Sequence, residues 1–375
     1  MEEVAADRSF DTWFDRANDR LMTLGTEVLY LVSDRAKALI KLAHTGLGCL
    51  SIPDLFHLSH DLAKGYALAI FGRLRRAKRE LEHAKQGLEK LQKNIQPDSA
   101  QVAQAQARVA AWATSVHHWQ EVGRAWQQHL ANVSGILHPW RLVDSIRQTS
   151  QAVEEQLGAE LKAIETLLET NGLPMKKATL DKVRKQLAGI SALVDVWWQT
   201  VRQDVTQLAM TPRWTQWAED VLLPLMYWHE QLRRTRHQGQ KAQIALVLQA
   251  VEEAFERHAC TRQLTPEVLA GWKTWAAEHA KAFQRASSAV EGRNGYLSQM
   301  QHNHRGLPTR RYQVWTVLHN FDCRAADGTT PASRFFRRSF PDLFESVLSQ
   351  IDELPLPRQR LRHSRQGIEG AGCPA

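Results

Sequence analysis

Two apolar seams, one on either side of a single break, constrain this chain more than anything else in it. Leu74, Ala77, Leu81, Ala84, Leu88 and Leu91 alternate three and four residues apart, the spacing that lines up one stripe of an α-helix. Val102, Ala105, Val109, Trp112, Val116, Trp119, Gly123, Trp126 and Leu130 repeat the pattern. Between them stands Gln96-Pro97-Asp98-Ser99, which ends one helix and caps the next. Two amphipathic helices joined by so short a turn bury their stripes against each other. An antiparallel, coiled-coil-like hairpin is therefore predicted, with Trp112, Trp119 and Trp126 in its core.

The chain before this hairpin reads differently. Glu2–Ala5 is a short candidate strand, and Ser9 caps a helix with Phe10, Trp13, Phe14, Ala17 and Leu21 on one face, ended by Gly25. Val28-Leu29-Tyr30-Leu31-Val32 is an unbroken apolar run, as expected of a strand buried on both faces of a parallel sheet. A helix over 35–43 and a strand over 49–52 complete a β-α-β-α-β order, with Pro53 closing it. After the hairpin, breaks at Pro139, Asn171–Pro174, Thr211-Pro212 and Thr265-Pro266 predict helices near 142–170, 178–209, 212–234, 240–259, 266–303 and 310–320. The fold class is thus mainly α, with a small α/β element at the start. The arginine-rich end after Pro355-Leu356-Pro357 predicts disorder.

Of the 375 residues, 43% are hydrophobic and 23% charged, which suits a folded chain rather than a disordered one. No apolar run approaches the ~20 residues of a membrane span, so no membrane partner is expected. The start Met1-Glu2-Glu3 lacks the basic and apolar regions of a signal peptide, and a cytoplasmic location is expected. Cys49, Cys260, Cys323 and Cys373 are scattered, without the pairing of a zinc site or disulfide framework. The net charge of +8 favours a polyanionic partner.

Two acidic residues stand out. Asp34 follows directly on the buried strand, and α/β folds place their sites where parallel strands end; as a plain structural residue it would be a helix cap. Glu291 lies in Ser287-Ser288-Ala289-Val290-Glu291-Gly292-Arg293-Asn294-Gly295. Its small residues make a poor helix interior and imply close approach by a backbone or ligand. Two carboxylates from separate elements suit a two-metal site for phosphodiester chemistry, since Mg²⁺ takes one or two protein carboxylates and fills the rest with water and phosphate.

Val28–Asp34 with Arg35–Leu39, and Ser287–Asn294, resemble the second-aspartate strand and the final-glutamate helix of DDE-type, RNase H-like insertion-sequence transposases. The run His304–Leu307, Arg310-Arg311, Trp315–Phe321 and Asp327–Ala332 is similar to the C-terminal part of a bacterial group of that type. The resemblance implies a truncated RNase H-like core in two pieces, 1–70 and 265–345, around a helical insertion, 71–264, with a basic tail, 346–375. It implies Asp34 and Glu291 as ligands of Mg²⁺ (or Mn²⁺). Arg293, Asn294, Arg305, Arg310 and Arg311 would then contact DNA, with transposon ends as partner and homodimerisation left open. In that family the first catalytic Asp stands on a central strand beside the one ending at Asp34. This sequence opens at the counterpart of the third strand, and Asp7, Asp11 and Asp15 are poor substitutes. The expectation is a chain that binds DNA but does not transfer strands alone, and a strand 28–32 with one unpaired edge.

Other features have ordinary readings. Arg73, Arg75, Arg76, Lys78 and Arg79 form one basic cluster, and Arg233, Arg234, Arg236 and Lys241 another; both suit solvated faces. Arg334, Arg337 and Arg338 continue the cluster of Arg305, Arg310 and Arg311, where phosphate binding is expected. His57, His60 and Asp61 share a helix face without enough ligands for zinc. Trp197 and Trp198 are neighbours that one core cannot take together, so an exposed one would offer a base-stacking platform. The competing reading of the whole chain is a non-enzymatic helical scaffold.

Overall fold

The computed structural model describes residues 9–25, 28–93, 98–208, 210–285, 309–325 and 328–352. The chain divides into two compact units, residues 7–295 and residues 296–375 with 1–6.

In the larger unit, α1 (Phe10–Leu24) is capped by the Ser9 hydroxyl and closed by Gly25 in the left-handed conformation. Strand β1 (Tyr30–Ser33) pairs in parallel with β2 (Leu50–Pro53), with Tyr30 opposite Leu50 and Ser33 opposite Pro53. Between them α2 (Lys37–Lys41) continues into a π-helical turn, Leu42–Gly46. The crossover is the β-α-β unit expected, with β1 starting two residues later and ending one later, β2 shifted by one, and Tyr30–Val32 half-buried rather than buried on both faces; the candidate strand Glu2–Ala5 lies outside the described residues. Among the described residues β1 has no second strand neighbour.

Asp54 caps α3 (Leu55–Gln92), and Asp98 caps α4 (Ser99–Ile136). Each helix has 38 residues, or roughly 57 Å at 1.5 Å per residue. Tyr66 meets Trp126, Phe71 faces Gly123 and Arg73 lies over Trp119. Numbers that rise on one helix as they fall on the other make the pair antiparallel. Gly123 eases this approach, since a Cβ would stand 3.1 Å from the Phe71 ring.

Then follow α5 (Ser150–Thr170), α6 (Lys177–Arg184), α7 (Leu187–Gln207), α8 (Pro212–Trp217) with a π-helical turn at Ala218–Leu222, α9 (Leu223–Arg234), α10 (Gln238–Arg257), α11 (Ala259–Gln263) and α12 (Pro266–Ala282). Three of these differ from expectation. The helix predicted from 142 starts only at Ser150, capped by Thr149, because 138–148 forms a loop stapled by the Trp140–Arg147 bridge and Ser145 in the left-handed region. The helix predicted over 178–209 breaks at Lys185-Gln186. The helix predicted over 266–303 ends at Ala282: Phe283 turns to extended backbone and buries its ring.

One continuous apolar core runs from Ile52 to Phe283, and α3 passes residue 70 without interruption. Helix α7 is central to it, packing on β2 and α5. Gly189 permits the approach to β2, since a Cβ there would lie 3.1 Å from Pro53 Cδ. Trp197 and Trp198 are both buried, at 1% and 3% exposure, so neither is a platform for a base. The expectation failed because a central helix is covered on several sides. Trp197 touches Trp140, Tyr227 and Phe283, and Trp198 carries the Arg147 guanidinium 3.6 Å from its ring centre.

In the smaller unit, α13 (Thr309–Phe321) is followed by α14 (Pro331–Phe336), which opens with a reciprocal cap between Thr330 and Ser333, and by α15 (Leu343–Leu348). Among the described residues no helix is long and apolar enough to cross a membrane.

Candidate functional site

The C-terminal ends of β1 and β2 are the natural place to look, because side chains there leave the sheet. Asp34 is exposed at the end of β1. Its Oδ1 accepts a 2.9 Å hydrogen bond from Ala36 N–H, and Ser33 Oγ accepts from Arg35 N–H. Arg35 sits at φ 61°, a left-handed conformation unusual for a side chain of that size. The turn fixes one Asp34 oxygen and presents the carboxylate to solvent.

Asp54 occupies the matching place at the end of β2, and the sequence reading passed over it. Its N–H donates to Ser33 O across the sheet, at 2.9 Å. It is 1% exposed; Oδ1 accepts from Phe56 N–H at 2.7 Å, and Oδ2 lies 3.5 Å from His57 Nδ1. The Pro-Asp step before an apolar helix was the available signal, and it points to a cap. Asp61 pairs with Lys182 at 2.6 Å, and His60 stacks on the Phe56 ring.

A third strand of chain reaches the same place. Leu55 N–H, in the first turn of α3, donates to Arg285 O at 3.0 Å. Arg285 in turn closes the far end of α4: its Nη1 donates to Ser134 O at 2.7 Å and Leu137 O at 3.3 Å. A guanidinium at a helix C-terminus meets carbonyls that lack intrahelical partners and the negative end of the helix dipole. Nη1 also lies 3.1 Å from His138 Nε2. That nitrogen must accept, so the ring's proton is on Nδ1, which donates to the Tyr227 hydroxyl. Burial, reinforced by the Arg285 charge, holds His138 well below the usual histidine range. Burial likewise raises Tyr227 and lowers Arg285. Nothing in the residue spacing announced this buried cluster, because its members are brought together only by tertiary packing.

Of the residues singled out in the sequence, Glu291, Arg293, Asn294 and Arg305 lie outside the described residues. Arg310 and Arg311 are exposed in the first turn of α13, in the smaller unit. Among the described residues no three His, Cys, Asp or Glu side chains converge as a metal site. The basic cluster Arg73, Arg75, Arg76, Lys78 and Arg79 is an exposed face of α3. In the second cluster, Arg233 and Arg234 both pair with Glu230. Burial works to raise that carboxyl, but the hydrogen bonds and charges of the two arginines outweigh it and hold it below its usual value.

Residues 218–363 match a protein family described as a family of unknown function (DUF6399). No curated protein and no solved structure matches the chain. The matching segment includes Arg285 and the stretch around Glu291.

Proposed function

We propose that the chain is part of a DDE-type transposase and binds DNA, with Asp34 and Glu291 as ligands of Mg²⁺ (or Mn²⁺) in a site whose strand transfer needs a further carboxylate. One observation carries this reading: the hydrogen bonds Asp54 N–H to Ser33 O and Leu55 N–H to Arg285 O join the chain at 285 to the ends of both strands. Glu291 follows six residues after Arg285, a distance of at most about 21 Å even for fully extended chain. That bound permits two carboxylates far apart in sequence to meet at the strand ends. The parallel order of β1 and β2, with Asp34 directly after β1, is also what an RNase H-like core requires of its second aspartate strand.

The residues suit the ion. Asp34 has one oxygen engaged by a main-chain amide and is otherwise open to solvent, as a ligand of a hydrated Mg²⁺ should be. In a complete site, a pair of such ions would activate a water or 3′-hydroxyl and stabilise the leaving oxygen. Arg293, Asn294, Arg305, Arg310 and Arg311 supply contacts to the DNA backbone, and the long α3–α4 hairpin belongs to the helical insertion. The alternative, a non-enzymatic helical scaffold, draws on that same hairpin, whose length alone would serve to bridge partners.

Iron-directed cleavage separates the two. Fe²⁺ takes the place of Mg²⁺ at carboxylate sites, and with ascorbate and peroxide it cuts the polypeptide next to its ligands. Cuts near both 34 and 291, abolished by Asp34→Asn and by Glu291→Gln, are expected. Cutting at one position alone, or cutting indifferent to both substitutions, favours the scaffold.

A further inference from the structure

Behind the polar cluster of Arg285 lies a cavity of about 280 Å³, lined among others by Arg234, Arg236, His237, Gln240 and Arg285. We propose that this cavity is a phosphate-binding pocket, a site separate from the carboxylates of the metal reading and independent of it.

Three observations carry the assignment. First, the lining includes three arginines and no Asp or Glu. Glu230, the nearest acid in sequence, is not part of the lining; it pairs with Arg233 and Arg234. Second, the guanidinium of Arg285 is fixed in advance by Ser134 O, Leu137 O and Gln231 Oε1, so it pays little ordering entropy on meeting an anion. Arg236 is its opposite, exposed and in no ion pair among the described residues, free to fold over a ligand. Third, the cavity opens on the N-terminus of α10, a helix of 20 residues. The His237 ring caps it, Nδ1 accepting from Gln240 N–H, which leaves the proton of the neutral ring on Nε2 as a donor. Helix N-termini attract anions through free N–H groups and the positive end of the dipole.

These features point to one chemistry. Arginine forks match the paired oxygens of a phosphate better than any other common anion. The volume far exceeds the ~10–15 Å³ that holds one water, enough for a phosphate group with bridging waters. The openness of the site to solvent beside Arg236 allows the phosphate to be part of a nucleic-acid backbone as well as a free ion.

Hydrogen exchange on the full chain tests this, with inorganic phosphate and a short DNA duplex as separate probes. Protection of the Thr235–Gln240 amides by either probe is expected. It should be lost in Arg236→Glu and retained in Arg75→Glu, a reversal of equal charge on α3. Protection by phosphate alone identifies a small phosphate ligand; protection by the duplex identifies a backbone contact. In the latter case Arg236→Glu should weaken duplex binding about tenfold and reduce its salt slope by about one. Arg236→Gln provides the same comparison should the reversal disturb folding, which circular dichroism reports. Absence of protection by both probes, or protection that survives loss of the Arg236 charge, overturns the proposal; either result leaves the iron-cleavage outcome at 34 and 291 untouched.

Discussion

Arg285 Nη1 stands 3.1 Å from His138 Nε2, so a buried cation fixes both the tautomer and the charge of a buried imidazole. The arrangement works only while His138 is neutral, because protonation would set two positive groups against each other 3.1 Å apart.

Acid sensitivity follows. The folded-state pKa of His138 is depressed, by burial first and by Arg285 second, so below the unfolded value of about 6.5 the unfolded chain binds a proton that the folded chain refuses. Stability from this group is complete above that pH and falls as pH drops, by up to ~1.4 kcal/mol per unit. His138→Gln should flatten the difference between urea denaturation at pH 7 and pH 5. A variant with the same pH slope as the parent would remove His138 from the account.

Arg285 itself should carry more weight than any other arginine described. Arg285→Met leaves the carbonyls of Ser134 and Leu137 and the His138 edge without their donor. The expected loss is about 2–4 kcal/mol, the range for a buried charged hydrogen-bond partner removed. Arg75→Met on the exposed face of α3 should change stability by less than about 0.5 kcal/mol. Thermal melts of the two variants side by side make the comparison.

How far the sequence disclosed these features depends on how local their causes are. The antiparallel hairpin was legible because its seams and its Asp98 cap are written within a few turns; Ala77, Ala84 and Trp126 are buried where the spacing put them. The strand ending at Asp34 was legible for the same reason. The end of α12 was not: Ala282 is followed by neither glycine nor proline. The helix stops because Phe283 is drawn into the rings of Trp197 and Tyr227. The loop at 138–148 was hidden likewise, since Ser145 is held by Trp228 Nε1–H from α9 at 2.9 Å. Asp54 was readable as a cap, but its neighbour across the sheet, Ser33, was not. Buried charge among neutral partners, as at Arg285, has no periodicity to betray it.

The aromatic core gives a third prediction. Trp197 and Trp198 were candidates for stacking on a base and are instead enclosed, Trp197 donating from Nε1 to His279 O at 2.9 Å. Trp197→Ala should cost about 3–5 kcal/mol as a large cavity opens. Trp198→Phe keeps most of the packing and should leave affinity for single-stranded DNA unchanged. A drop in that affinity with stability intact would show that Trp198 reaches the nucleic acid.

Helix α7 links the core to the end of the sheet. Gly189 on α7 faces Pro53, the residue before Asp54, and an added Cβ would stand 3.1 Å from the proline ring and 3.6 Å from Arg35 Nη1. A proline ring in a buried strand has no rotamer with which to yield, so the strand must move. Gly189→Val therefore presses on β2 at its C-terminal end and on the residue after Asp34 together. Overpacking of this kind costs about 1–3 kcal/mol, against which the helix propensity gained over glycine offsets only a few tenths. If Asp34 is a metal ligand, the same substitution should weaken iron-directed cleavage near 34 while leaving the hairpin α3–α4 unaltered by hydrogen exchange. Unchanged stability in Gly189→Val would mean that α7 and β2 are not in the close contact on which the placement of Asp34 depends.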